Sequence, residues 1–171
     1  WNLKDQKAFN ILYLTILEGK KKEDFKKIQL THGEDTFNSI QWVPGENRIS
    51  FKTSREFKDT KPGNLWVMDL NGGEAHPVTS FETGVQQYRW LDKDNLLFVG
   101  SEAKSLYDKE KEEKKDTAEV IEDEDHQEIT RLFKYDMKAK KTKRLTANDK
   151  PLQFFLLSHN KQWVIYSLSM S

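Results

Sequence analysis

The side chains best suited to moving protons or holding a metal are four histidines, His32, His76, His126 and His159, in a chain of 171 residues that has no cysteine. Zinc sites ask for closely spaced histidines such as His-x-x-x-His or His-Glu-x-x-His, and neither spacing occurs. With no cysteine, disulfides, thiolate nucleophiles and Cys-ligated zinc are ruled out. Serine chemistry needs a base beside a Ser presented on a Gly-x-Ser-x-Gly turn, and no Ser sits in one. Neither a phosphate-cradling Gly-x-x-x-x-Gly-Lys nor a dinucleotide Gly-x-Gly-x-x-Gly is present. His32 and His76 flank expected strand ends, where a surface histidine is the plain reading. No catalytic, metal-binding or cofactor-binding residue is assigned, and no cofactor is expected.

Charge is plentiful but balanced, with 28 Lys and Arg against 28 Asp and Glu, so nothing global points to nucleic acid or a membrane surface. The run Glu122-Asp123-Glu124-Asp125 lacks the alternate ligand spacing and Gly turn of a calcium loop. Two basic clusters, Lys20-Lys21-Lys22 with Lys26-Lys27 and Lys138 to Arg144, fall on expected hairpins. Base stacking would want aromatics interleaved with them, and only Phe25 is available. Trp42, Trp66 and Trp90 could form an aromatic platform, but their repeat-matched places predict packing between layers. The longest apolar runs, Ile11 to Leu17 and Phe154 to Leu157, are too short to span a bilayer. No signal peptide is visible, and a first residue of Trp1 rather than Met fits a processed or trimmed product.

What must position these side chains is a repeat. Leu65-Trp66-Val67-Met68-Asp69, running on to Val78-Thr79, returns as Leu132-Phe133-Lys134-Tyr135-Asp136, running on to Arg144-Leu145-Thr146, at a constant offset of 67. Upstream, Ser39 to Trp42 with Arg48 to Phe51 returns as Gln87 to Trp90 with Leu96 to Val99, and Trp42 to Trp90 is 48. A third such hairpin runs from Phe154 to Tyr166, with Leu156 in the Trp place. A degenerate outer hairpin spans Ile11 to Gly19 and closes at Ile28 to Thr31. Alternating apolar residues predict strands with one buried face, and Pro44-Gly45, Asp94-Asn95 and Asn71-Gly72 predict tight turns between them. Ten Phe, five Trp and five Tyr suit packed sheet faces.

Four antiparallel strands per unit predict an all-β partial β-propeller. Residues 1–35 read as the outer half of a blade, 36–83 as a full blade, 84–149 as a full blade with a charged insert over 102–128, and 150–171 as the inner half of a further blade. The offsets place 19 inserted residues between Val99 and Thr130. That insert carries twelve acidic residues and five Lys from Glu102 to Glu128, which suits an exposed helix or a solvated loop equally. An arc of this kind leaves unpaired strand edges, so it predicts either the remainder of its own propeller or an oligomer formed through those edges.

Trp42-Val43-Pro44-Gly45-Glu46-Asn47 before Arg48 to Phe51, then Asn64 to Glu74 and Val78-Thr79, resembles the blade repeat of TolB-like propellers. The same repeat builds the N-terminal propeller of prolyl oligopeptidase-family serine peptidases. That family includes the acylaminoacyl-peptidase and dipeptidyl-peptidase branches, and the acidic insert followed by Leu132-Phe133-Lys134-Tyr135-Asp136 looks most like the acylaminoacyl-peptidase type. Gly45-Glu46 and Lys93-Asp94 replace the usual Asp-Gly, and Val43 and Leu91 replace Ser. The resemblance implies a substrate-gating propeller fragment, non-catalytic by itself, with peptide as the parent's substrate and the triad in a C-terminal α/β-hydrolase domain. It leans to a periplasmic or secreted location, which the residues themselves do not give. The alternative is a non-catalytic TolB-like propeller for protein–protein interaction. A third reading, a carbohydrate-active or lyase propeller, needs inward-facing His, Arg or metal-binding carboxylates on the inner strands, and Ile40 to Trp42 with Gln87 to Trp90 offer only Arg89.

Overall fold

The computed structural model describes residues 9–17, 25–101 and 129–170. Within them the chain forms β1 (Tyr13–Ile16), β2 (Lys26–Gln29), β3 (Phe37–Trp42), β4 (Arg48–Thr53), β5 (Leu65–Asp69), β6 (His76–Pro77), β7 (Gln87–Trp90), β8 (Asn95–Ser101), β9 (Thr130–Asp136), β10 (Lys141–Arg144), β11 (Leu152–Leu157) and β12 (Val164–Leu168). They make four antiparallel sheets, ordered β1-β2, β3-β4-β5-β6, β7-β8-β9-β10 and β11-β12. The described residues are thus all-β, a partial propeller-like stack of two four-stranded blades flanked by two hairpins. The charged insert over 102–128 and Lys20-Lys21-Lys22 lie outside the described residues.

Three apolar layers hold the stack together. Phe37, Ile49, Phe51, Trp66 and Met68 of the first blade pack with Leu12 and Leu30 of the β1-β2 hairpin. Leu65 and Val67 from the other face of β5 join Tyr88, Trp90, Phe98 and Tyr135 of the second blade. Leu97, Val99 and Leu132 of the second blade meet Leu152 and Phe155 of the last hairpin. Because both faces of a blade are covered, β5 and β8 carry unbroken apolar runs rather than simple alternation, at Leu65 to Met68 and Leu96 to Val99.

The pairing corrects the register read from the sequence. Phe51 lies opposite Trp66 and Phe98 opposite Phe133, so Phe51 corresponds to Phe98, not Val99, an offset of 47. The Leu91 turn is one residue shorter than the Val43 turn, since Val43 N–H donates to Arg48 but Leu91 N–H donates to Asn95. Twenty residues, not 19, are therefore inserted between β8 and β9. Ser158 N–H donates to Trp163 in the same manner, which puts Leu157 rather than Leu156 in the place of Trp42 and Trp90. The β5–β6 connection is also longer than a two-residue turn: it spans 70–75, with Gly72 and Gly73 at φ of 129° and 110°.

Each outer hairpin closes on a threonine. The hydroxyls of Thr31, Thr79 and Thr146 accept from the backbone N–H of Leu12, Leu65 and Leu132 at 3.0, 2.9 and 3.0 Å. Thr79 is further fixed by donating to the Asn64 carboxamide at 2.8 Å. The Thr at the end of each repeat is thereby explained as a side chain standing in for a backbone partner.

Candidate functional site

The first strands of successive blades converge. The Gln41 amide donates to the Tyr88 carbonyl at 2.9 Å. The Gln87 side chain both donates to the Phe155 carbonyl at 3.1 Å and accepts from its N–H at 2.9 Å. Between β3 and β7 lies an open groove of ≈ 510 Å³ lined by Ser39, Ile40, Gln41, Gln87 and Arg89. None of these five is acidic, and Arg89 carries the groove's formal charge.

Arg89 spends one donor on the Tyr88 carbonyl at 2.8 Å. A guanidinium has five such donors in a fork suited to a carboxylate, so the group has capacity for an anionic ligand. Opposite it, Ser39 has φ of 54°, a left-handed conformation that costs a non-glycine residue roughly 1–2 kcal/mol. This sits at the β3 irregularity between Asn38 and Gln41. Two contacts hold it there: the Ser39 carbonyl accepts from the Tyr88 hydroxyl at 2.6 Å, and its own hydroxyl donates to Asn38 at 3.1 Å. Backbone held in such a conformation by its surroundings is a feature of ligand-facing loops and bulges.

Behind the groove is a buried polar network. Ser50 Oγ accepts from Trp90 Nε1 at 2.8 Å and lies 2.9 Å from the Tyr88 hydroxyl. Burial pushes the Tyr88 phenol well above its ordinary value near 10, so it stays neutral and donating. Lys52 donates to the Val85 and Gln86 carbonyls at 2.9 and 2.7 Å, and burial lowers its pKa. These groups fasten one blade to the next. Ser50 is fully enclosed and its partners are Tyr, Trp and a carbonyl, so it has no base to activate it.

A second cavity of ≈ 320 Å³ opens beside the stacked rings of Phe81, Phe98 and Phe133 and is edged by Ser80, Glu82 and Thr83. The rings are offset-stacked at 4.7 and 5.2 Å, which is packing of the blade interface.

The sequence-derived candidates are scattered. His32, His76 and His159 are exposed on different sheets or loops, and His126 with Glu122 to Asp125 lies outside the described residues. Among the described residues no three His, Asp or Glu side chains cluster as a metal site would need. Lys26, Lys27 and the Lys138 to Arg144 run lie mostly exposed on outer strands and a turn. Trp66 and Trp90 are buried between layers as expected, but Trp42 is 58% exposed, because no described strand covers that end of the first blade. Arg89 was visible from the sequence. Ser39 and Gln87 were not: a left-handed Ser and a blade-bridging Gln carry no local signal, and only the interblade geometry reveals them.

Fold and groove define a class first: a propeller-like arc of four-stranded blades with a polar, Arg-bearing inner edge. No protein-family model matches the chain. Over 155 residues the chain is 27% identical to the uncharacterized peptidase YuxL of Bacillus subtilis (strain 168), covering 82% of this chain. It spans only 23% of that protein's length. Among solved structures, the apo form of the AtxE2 isopeptidase is similar with a TM-score of 0.47 and 17% identity, over 66% of this chain and 18% of that one. The same isopeptidase with Astexin3-dC4 bound gives 0.46 and 17%, over 63% and 18%. The sequence likeness makes this chain a distant relative of a peptidase.

Proposed function

We infer that this chain is the propeller portion of a prolyl oligopeptidase-like serine peptidase, gating substrate and doing no chemistry by itself. The observation that carries this is the 27% identity to a peptidase running through 82% of the chain. The TolB-like repeat and the Arg89 groove support it. A groove of this shape suits the extended backbone of a short peptide, with amides from Gln41 and Gln87 beside it and the guanidinium taking a carboxylate. The catalytic triad belongs, on this reading, to a C-terminal α/β-hydrolase domain.

The test is a fluorophosphonate probe applied to the 171-residue protein and to the longest reading frame that contains it. The longer product labels at one Ser in a Gly-x-Ser-x-Gly turn and the chain alone does not. Labelling of the chain itself at a single Ser would refute the non-catalytic role. A reading frame that ends with the last blade and takes no label would replace gating by the interaction-propeller reading.

A further inference from the structure

Of the chain's nine asparagines, Asn71 alone is followed by glycine. The pair reads as a tight two-residue turn, yet the chain makes a longer connection over 70–75, with Gly72 and Gly73 at positive φ. Asn71, Gly72 and Gly73 are all exposed. In this connection the Gly72 N–H reaches only the Asp69 carbonyl, at 3.4 Å, beyond the usual range of a hydrogen bond. The amide nitrogen that follows Asn71 is therefore open to solvent base.

The Asn71 carboxamide stands beside that nitrogen. Its oxygen accepts from Asn47 Nδ2 at 2.8 Å, and its own nitrogen donates to Asp69 Oδ1 at 2.9 Å. A donor on the carbonyl oxygen draws electrons from the carbon and makes it more open to addition. Glycine brings no Cβ to obstruct the approach of its nitrogen. Asn64 in the same blade is the opposite case. It is fully buried, and its carboxamide donates to the Lys61 and Phe81 carbonyls while accepting from Thr79 Oγ1 and the Phe81 N–H. The N–H that follows it, on Leu65, is held by Thr79 Oγ1 at 2.9 Å.

We propose that Asn71 is a site of spontaneous deamidation, and that the modified turn loosens β6 from β5. The Gly72 nitrogen, its proton lost to hydroxide, bonds to Asn71 Cγ. The Cγ–Nδ2 bond breaks and Nδ2 leaves as ammonia, protonated by water. Water then opens the five-membered succinimide at either carbonyl and restores the N–H, giving aspartate or isoaspartate. One water is consumed and one ammonia released, with no change of oxidation state. Either product sets a carboxylate where the carboxamide had donated to Asp69. No salt bridge among the described residues involves Asp69, so two like charges then face each other. Isoaspartate also lengthens the backbone of the connection by one atom. Strand β6 has little to resist with, being only His76–Pro77, and Pro77 has no N–H to donate. The turn belongs to a complete blade, and the inference is independent of the peptidase reading.

The experiment incubates the longest reading frame that contains the chain, folded and in urea, over a series of mildly alkaline pH values. Tryptic peptide 59–89 carries both Asn64 and Asn71, so fragmentation of one peptide compares them. The expected result is the mass gain of exchanging an NH group for oxygen at Asn71, faster at higher pH, in the folded protein as well as in urea. Asn64 stays unconverted in the folded protein. Asn71→Gln keeps a carboxamide but would need a larger ring, and it loses the conversion. The converted protein, separated by its added negative charge, exchanges deuterium faster across 74–79 and unchanged across β8 and β9. Conversion at Asn71 only in urea, equal conversion of Asn64 in the folded protein, or unchanged exchange across 74–79 would each overturn the proposal.

Discussion

Trp42 and Trp90 occupy the same position in consecutive blades, yet one is 58% exposed and the other 5%. Trp90 has Leu65 and Val67 of the preceding blade against it and donates its indole N–H to Ser50. Among the described residues Trp42 has only the β1-β2 hairpin beyond it, which packs farther out on Phe51 and Trp66. The residue type and the strand are the same, so the difference is made by the layer next door. In this architecture a side chain's contribution is a property of the interface between repeats, not of the repeat.

The sharpest way to break the comparison is to truncate both tryptophans. Trp90→Ala should destabilise the protein by about 3–5 kcal/mol, the range for deleting a buried aromatic. Trp42→Ala, measured by urea unfolding at protein concentrations too low for association, should stay within about 0.5 kcal/mol. Equal effects would mean that the exposed face is covered in solution even in the monomer.

Ser50→Ala comes next. It leaves the Trp90 indole N–H without its acceptor and takes one partner from the Tyr88 hydroxyl, so a loss of about 1–3 kcal/mol is expected. A chevron or equilibrium melt showing no change would mean that water has taken the hydroxyl's place.

Alkaline pH probes the same layer without a mutation. The Tyr88 phenol has its folded pKa raised above the ordinary value near 10, so the folded state keeps a proton that the unfolded state gives up. Its contribution is fully present below pH 10 and declines as pH rises beyond it, by about 1.4 kcal/mol per unit at most. Urea midpoints between pH 9 and 11 should show that slope in the wild type and a shallower one in Tyr88→Phe, where the Tyr135 phenol, also raised by burial, still contributes.

A loss well below that at Trp90 is expected at Gln87→Ala, which removes two bonds to Phe155 at the less extensive contact with the last hairpin. A loss of about 1–2 kcal/mol, with faster hydrogen exchange in β11 and β12 than in β4 and β5, would place the weakest interface there.

The outer hairpins were the most legible part of the fold. Leu65 to Thr79 and Leu132 to Thr146 keep the same lengths, so a constant offset exposed them. The inner hairpins were read one residue out of register. The Leu91 turn is one residue shorter than the Val43 turn, and Leu157 and Leu156 are indistinguishable by type. Exposure at Trp42, Ile40 and Ile165 could not be read locally, since equivalent residues in the next blade are buried. At the groove, Arg89 was legible because it is the lone cation on β3 and β7. Ser39 was hidden because its left-handed backbone is imposed by Tyr88 from another blade.

The threonine closures have a consequence for how such a chain changes over generations. Thr31 follows Leu12 by 19 residues, whereas Thr79 and Thr146 follow Leu65 and Leu132 by 14, yet the same bond forms each time. Each hydroxyl resets the count, so extra sequence added before it does not displace the blade after it. Loops can lengthen, as between β8 and β9, while the phase of the repeat survives. The threonines act as punctuation, and they make the scaffold tolerant of new insertions at its rim.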